Sequence, residues 1–308
     1  MNNPLVSITV ISYNSSAFIV ETLESIKKQT YQNLELIISD DCSTDDTVSI
    51  CKNWLEENKT RFSRVCLIES EKNRGIPGNC NTGWQKTKGE WIKLIAGDDL
   101  LLPTCIETNL AYVHSHKDAK VIFSEAIKID ENSQPLPTET NFYNNELPNW
   151  RHYFFNQSNQ RQLKLYARDP IFLINPSLFV DRSLLEKIGG FDEHLRIFED
   201  VVLILKLLRA GYPIHYVPKE TVAYRIHSGS VSKSKNKEKE LQNLSELNYI
   251  YKNYRKPLLK NTNLFDLNTK LIAWFEFDYI QKYHLKGSRF LQKLNTFRVY
   301  QRLICIKK

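Results

Sequence analysis

Between Leu5 and Asp99 the chain alternates four times between a short apolar, β-branched run and a segment whose apolar residues recur at helical spacing. No other feature constrains the fold as tightly, because parallel strands need crossover helices and those helices cover the faces of the sheet. Strands are expected over residues 5–13, 34–39, 64–69 and 91–96, and helices over 17–29, 43–55 and 77–87, the second capped by Ser43 or Thr44. The first strand ends in Ser12-Tyr13-Asn14, the second in Asp40-Asp41, and the fourth in Gly97-Asp98-Asp99. Open α/β sheets bind ligands outside the carboxyl ends of their strands, so these clusters are expected on one rim. Adjacent carboxylates repel unless something positive offsets them. A hard divalent cation shared with a substrate's phosphates would do so; an acidic turn before the helix near Pro103 is the plainer alternative.

Beyond Lys120 the texture changes. Short strands are expected at 121–124 and 126–129, then a polar Asn/Gln/Pro-rich loop over 131–162 of the length that is functional or mobile in compact domains. Its Trp150, Tyr153, Phe154 and Phe155 fit equally a ligand-stacking surface and ordinary packing. A strand at 177–180, a helix at 182–188, a Gly189-Gly190 turn, a helix at 200–210 and strands at 214–217 and 222–225 follow. A Ser/Lys/Asn linker over 228–239 leads to a helical pattern over 241–306, rich in Tyr, Phe and Leu. Two regions are therefore expected: 1–230, divided into 1–100 and 101–230, and a basic, aromatic appendage, 231–308.

With 308 residues, 42% hydrophobic and 25% charged, the chain has room for one large domain plus that appendage. The net charge of +7 sits in the tail: residues 233–308 carry 17 Lys/Arg against 6 Asp/Glu, and residues 1–232 carry 25 against 29. A mildly acidic body argues against nucleic acid as partner. The tail reads either as a basic surface for an anionic membrane or as a subdomain packed on the body. No run approaches the roughly 18 apolar residues of a spanning helix. The start reads into a strand without a secretory signal, and six scattered cysteines without C-x-x-C spacing suit a reducing compartment, so a cytoplasmic protein is expected.

The ten glycines form neither G-x-x-x-x-G-K-[ST] nor G-x-G-x-x-G, and no G-x-S-x-G elbow exists. A phosphate ligand would then need a metal or basic side chains, and Asp98-Asp99 suits the metal. Glu199-Asp200 at a helix start reads as dipole-complementing acids or as a general base. His227, in a loop, is incidental or completes a metal site.

Together these pieces resemble glycosyltransferase family 2, the inverting nucleotide-sugar enzymes of the GT-A fold, over residues 4–230. The carriers are the opening 4–14 strand, Ser25-Ile26-x-x-Gln29-Thr30-Tyr31, Asp40-Asp41-Cys42-Ser43-Thr44-Asp45 (Cys42 where the family has glycine), and Asn73-Arg74-Gly75 with Asn79 and Asn81. Gly189-Gly190-Phe191-Asp192-Glu193, Glu199-Asp200 and Tyr224-Arg225-x-His227 complete the set.

The resemblance implies an α/β, GT-A-type, mostly parallel sheet flanked by helices, with a Rossmann-like nucleotide-binding half and a C-terminal helical appendage. It implies that Asp40 hydrogen-bonds the donor's base, with Ser12 and Tyr13 lining that pocket and Arg74 near it. Asp98 and Asp99 would hold Mn2+ or Mg2+ on the donor diphosphate, with His227 as a further ligand, and Asp200 would be the catalytic base. The donor would be a nucleoside diphosphate sugar, UDP-linked by family habit. The reaction would be hexosyl or N-acetylhexosaminyl transfer to a glycan or a lipid-linked saccharide, with the protein cytoplasmic or peripheral on the plasma membrane's cytoplasmic face. One departure stands out: Ala96 occupies the first acid of the family's D-x-D-D, which motivates the alternative of a catalytically impaired nucleotide-sugar-binding protein.

Overall fold

The computed structural model describes residues 3–137, 150–170, 173–229 and 237–259. The first half follows the alternation: β1 (Val6–Ser12), α1 (Ile19–Lys27), β2 (Leu34–Asp40), α2 (Thr47–Asn58), β3 (Arg64–Glu69), α3 (Gly75–Trp84) and β4 (Trp91–Ala96). All seven residues of β2 are buried, as a parallel strand covered on both faces requires. Val6, Ile8 and Val10 of β1 face α1 and α2, packing with Ile19, Leu23, Ile26 and Trp54. On the other face Ile92 and Leu94 of β4 pack with Cys80 and Trp84 of α3.

The second half contributes β5 (Leu100–Leu101), α4 (Cys105–Ser115), β6 (Val121–Ile129), α5 (Trp150–Phe155), α6 (Asn159–Arg168), β7 (Phe179–Asp181), α7 (Arg182–Ile188), α8 (Glu199–Arg209) and β8 (His215–Arg225). The eight strands among the described residues form one sheet in the order β3-β2-β1-β4-β7-β6-β8-β5. Pairing from β3 to β4 is parallel. Beyond β4 the sheet is mixed: β7 is antiparallel to both β4 and β6, β8 is parallel to β6, and β5 is antiparallel to β8.

Register brings the polar strand ends together. Ser12 lies opposite Asp40, and Ile11 opposite Ala96, so β1, β2 and β4 finish on one rim. Leu100 pairs with Ala223, which carries the end of β8, and with it Arg225 and His227, beside Asp98-Asp99.

Several expected boundaries moved. The α2 helix begins at Thr47, not at Ser43 or Thr44, because those residues bond the loops around Asp40 and Asn14. The two strands expected at 121–129 are one bulged strand, with its register against β8 slipping on both sides of Glu125. Those expected at 214–225 are likewise one, β8. The expected 131–162 loop contains α5 and the start of α6, with 138–149 outside the described residues. Phe154 is fully buried, edge-on to Phe155 and tilted against Tyr166, and so belongs to the core rather than to an exposed stacking surface.

The boundary expected at 230 does not bound the core. Helix α9 (Lys237–Ile250), a π-helical turn (Tyr251–Arg255) and a 3-10 turn (Lys256–Leu258) follow, and Ile250, Tyr251 and Leu259 are buried in the cluster that holds α8. At least this part of the tail packs on the body; residues 260–308 lie outside the described residues. Among the described residues no helix is long and apolar enough to cross a membrane, and Cys42, Cys51, Cys66, Cys80 and Cys105 are all free thiols.

Candidate active site

The loops after β1 and β2 are stitched to each other. Ser12 Oγ donates to Asp40 Oδ2 at 3.0 Å, and Ser43 supplies its N–H to Oδ1 at 2.8 Å and its hydroxyl to Oδ2 at 2.5 Å. Three of the roughly four lone-pair positions of the Asp40 carboxylate are thus taken. Asn14 N–H donates to Ser43 Oγ, and Asn14 Oδ1 accepts the Thr44 N–H. Asn14 and Cys42 take positive φ, 48° and 66°, at the two turns. Tyr13 projects beside them, 49% exposed.

Asp41, also buried, accepts the N–H groups of Arg74 and Gly75, both at 2.8 Å. Burial raises its carboxyl against the pull of those donors. The main chain of Arg74 is therefore tied to the rim, whereas its guanidinium makes a two-pronged contact with Glu193 at 2.7 and 2.9 Å. Glu193 Oε1 also accepts Asn81 Nδ2, and Asn81 Oδ1 accepts the Phe191 N–H. Gly190 permits this docking: its φ is +60°, and a Cβ there would stand 2.5 Å from Asn81 Oδ1.

The Asp98-Asp99 pair divides its labour. Asp98 Oδ2 lies 3.0 Å from His227 Nε2, both side chains partly exposed. Asp99 is 2% exposed, and its Oδ1 accepts the Arg225 N–H at 2.8 Å while its main-chain oxygen accepts Thr22 Oγ1. Burial, and next the charge of Asp98, raises the Asp99 carboxyl well above the usual carboxylate range. Of the three expected cation ligands, the structure brings Asp98 and His227 together and turns Asp99 inward onto β8. Accordingly, no group of three His, Cys, Asp or Glu donors is gathered among the described residues.

Arg225 organises this corner, a role the sequence reading did not give it. Fully buried, it donates Nε–H to the Asp98 main-chain oxygen, Nη2 to Glu21 and Nη1 to Ser133 Oγ and the carbonyls of Asp130 and Glu131. Its guanidinium lies 4.7 Å from the Phe18 ring centroid, and Phe18 in turn lies 4.7 Å from the His227 ring. The available signal was Arg225 standing between Tyr224 and His227 in one motif.

Asp200 sits in the first turn of α8. Because β7 runs antiparallel to β4, the residues preceding β7 lie at the rim where β4 ends, and there Asn175 donates to Glu199 Oε1 at 3.2 Å. Gly75, on the same rim, lies under Arg196. The 192–200 segment thus hangs over the strand ends. Asp200 is partly exposed and accepts its neighbour's N–H, Val201, at 2.7 Å; burial pushes its carboxyl up to about 6. Glu199, 4% exposed with Oε2 unpartnered among the described residues, is raised well above the carboxylate range by burial and by the Asp200 charge.

The sequence model described as Glycosyl transferase family 2 matches residues 7–189. The chain is 30% identical over 242 residues to the UDP-Glc:alpha-D-GlcNAc-diphosphoundecaprenol beta-1,3-glucosyltransferase WfaP of Escherichia coli, covering 76% of this chain and 82% of that one. It spans 24% of the length of a longer, uncharacterized Sinorhizobium fredii relative, at 28% identity over 240 residues. S. aureus TarS 1-349 in complex with UDP-GlcNAc superposes with a TM-score of 0.62 at 18% identity, covering 98% of this chain and 81% of that one. Mannosyltransferase PcManGT from Pyrobaculum calidifontis, in complex with GDP-Man and Mn2+, gives 0.59 at 18% identity, covering 99% and 86%. These two likenesses establish the fold as GT-A. The family match extends over more than half of the sequence, and the chain belongs to glycosyltransferase family 2.

Proposed function

We propose that this chain transfers a sugar from a UDP-linked donor to a hydroxyl of a glycan or lipid-linked saccharide, inverting the anomeric centre, with Asp200 as general base. One observation carries the reading: a carboxyl with its affinity for protons lifted to about 6 overhangs a rim that already holds Asp40 and the Asp98/His227 pair. The names of the E. coli relative and of the TarS complex support a UDP-sugar.

Asp40, Ser12 and Tyr13 line the seat for the base, the exposed Tyr13 ring offering a stacking face. The donor set at the other end, one carboxylate oxygen and one imidazole nitrogen 3.0 Å apart, fits Mn2+ or Mg2+ completed by diphosphate and water. Asp98 and His227 would hold the cation, and Asp99 fixes the turn behind them. When bound, the ion would offset the charge that gathers on the departing diphosphate.

Asp200, largely ionised at neutral pH, accepts the acceptor's hydroxyl proton as that oxygen bonds the anomeric carbon. The bond to the diphosphate oxygen breaks on the opposite face, and its electron pair leaves with the nucleotide. A single displacement with no covalent intermediate gives inversion. A positioned base contributes about 10²–10⁴-fold.

The test is Asp200→Asn, assayed with a panel of nucleotide sugars and Mn2+. Transfer should fall by about 10²–10⁴-fold while calorimetric donor affinity is retained. Loss of donor binding would remove the assignment, and donor binding without any transfer by the wild-type chain would favour the impaired binding protein suggested by Ala96.

A further inference from the structure

Helix α9 reaches into the segment that carries Asp200. Its Glu246, 6% exposed, accepts the N–H groups of three successive residues: Arg196 on Oε1 at 3.0 Å, and Ile197 at 3.0 Å and Phe198 at 3.4 Å on Oε2. Gln242, one helical turn earlier, steadies Oε1 at 3.1 Å. These donors stand immediately before α8, whose N-cap residue Phe198 provides no side-chain cap. Backbone N–H groups at a helix start need acceptors, and here the acceptor comes from some fifty residues downstream.

The other end of the same segment is gripped as well. Tyr249 and Tyr254 donate their hydroxyls to Asp192 Oδ2 at 3.0 and 2.6 Å, while Asp192 Oδ1 accepts the His194 N–H. Arg255 anchors the clamp on α6 through the carbonyls of Ala167 and Arg168 at 2.7 and 2.6 Å. The 192–198 segment is thus held at both ends by residues 246–254, outside the region that carries the motifs.

We propose that Glu246 is a positioning residue for the reaction: by holding the 196–198 backbone it fixes where Asp200 meets the acceptor hydroxyl. The proposal rests on the reading of Asp200 as general base. A charged acceptor bonded to three N–H groups is rigid, and an ångström-scale displacement of a catalytic group costs about 10²-fold in rate. The donor seat, built from the β1, β2 and β4 ends, shares none of these bonds.

The experiment is a double-mutant cycle in the full chain between Glu246→Gln and Asp200→Asn, with kcat and donor KM measured separately. Glu246→Gln keeps one acceptor oxygen and the shape, and loses the charge. It should lower kcat about 10–100-fold with donor KM unchanged, and should have little further effect in the Asp200→Asn background. An equal loss in both backgrounds, or a rise in donor KM matching the fall in kcat, would overturn the proposal. If Asp200→Asn alone left transfer intact, the base assignment would fail instead, so the two failures are distinguishable. Should Glu246→Gln fold poorly, Tyr249→Phe with Tyr254→Phe loosens the other end by two hydroxyls only. That pair should also lower kcat without raising donor KM, and an unchanged kcat would count against the clamp.

Discussion

Arg225 Nε donates to the main-chain oxygen of Asp98 at 2.7 Å, joining the end of β8 to the turn after β4 from 127 residues away. The same guanidinium fork satisfies Glu21, Ser133 and two further carbonyls. A lysine keeps the charge but has no planar fork. Arg225→Lys should lower stability by at least about 2 kcal/mol, since several charge-assisted bonds are lost together. The denaturant midpoint measures it, and an unchanged midpoint would contradict the hub.

Asp98 and His227 face one another at 3.0 Å as the expected cation ligands. His227→Ala should raise the Mn2+ concentration needed for half-maximal activity about 10-fold or more, and weaken Mn2+ binding in the presence of UDP by calorimetry. Each tenfold step corresponds to about 1.4 kcal/mol. Folding should be little affected, because neither the Asp99 nor the Arg225 bonds involve the imidazole ring.

The raised carboxyl of Asp200 has two pH signatures. As a base it must be ionised, so kcat/KM should be level above about pH 6 and fall about tenfold per unit below it. Stability runs the other way, because a folded-state carboxyl raised above its unfolded value disfavours ionisation in the fold. The penalty is absent near pH 4, grows through about 6 and is constant above. The Asp200→Asn variant should therefore melt at a higher temperature than wild type at pH 7.5, with the difference vanishing toward pH 4.

Cys42 holds a left-handed backbone, φ 66°, at the position where the related motif carries glycine. That conformation costs an L-residue roughly 1–2 kcal/mol, partly offset because glycine loses more freedom on folding, about 0.5–1 kcal/mol. Cys42→Gly should leave stability unchanged or raise it by up to about 1 kcal/mol, whereas β-branched Cys42→Val should lower it. A thermal melt of both variants decides.

The first four strand–helix cycles were legible because each element is written in contiguous residues: the β2 run, buried throughout, and the α1 stripe of Leu23 and Ile26. What the sequence hid depends on partners far along the chain. Ser43 has the composition of a cap, yet Asp40 takes it. The polar texture at Glu125 looked like a break between strands and is a bulge within one. Arg74 reads as a pocket residue, but its guanidinium meets Glu193, 119 positions away. Glu246 lies in an unremarkable helical pattern, and nothing local announces that its carboxylate serves residues 196–198.

The seat of α9 bears on how this protein can be cut. A fragment trimmed at the end of the recognisable motifs, near residue 230, would strip Ile250, Tyr251 and Leu259 from the cluster around α8 and leave a greasy scar beside the 192–198 segment. Such a fragment invites self-association. Sound expression boundaries extend past residue 259.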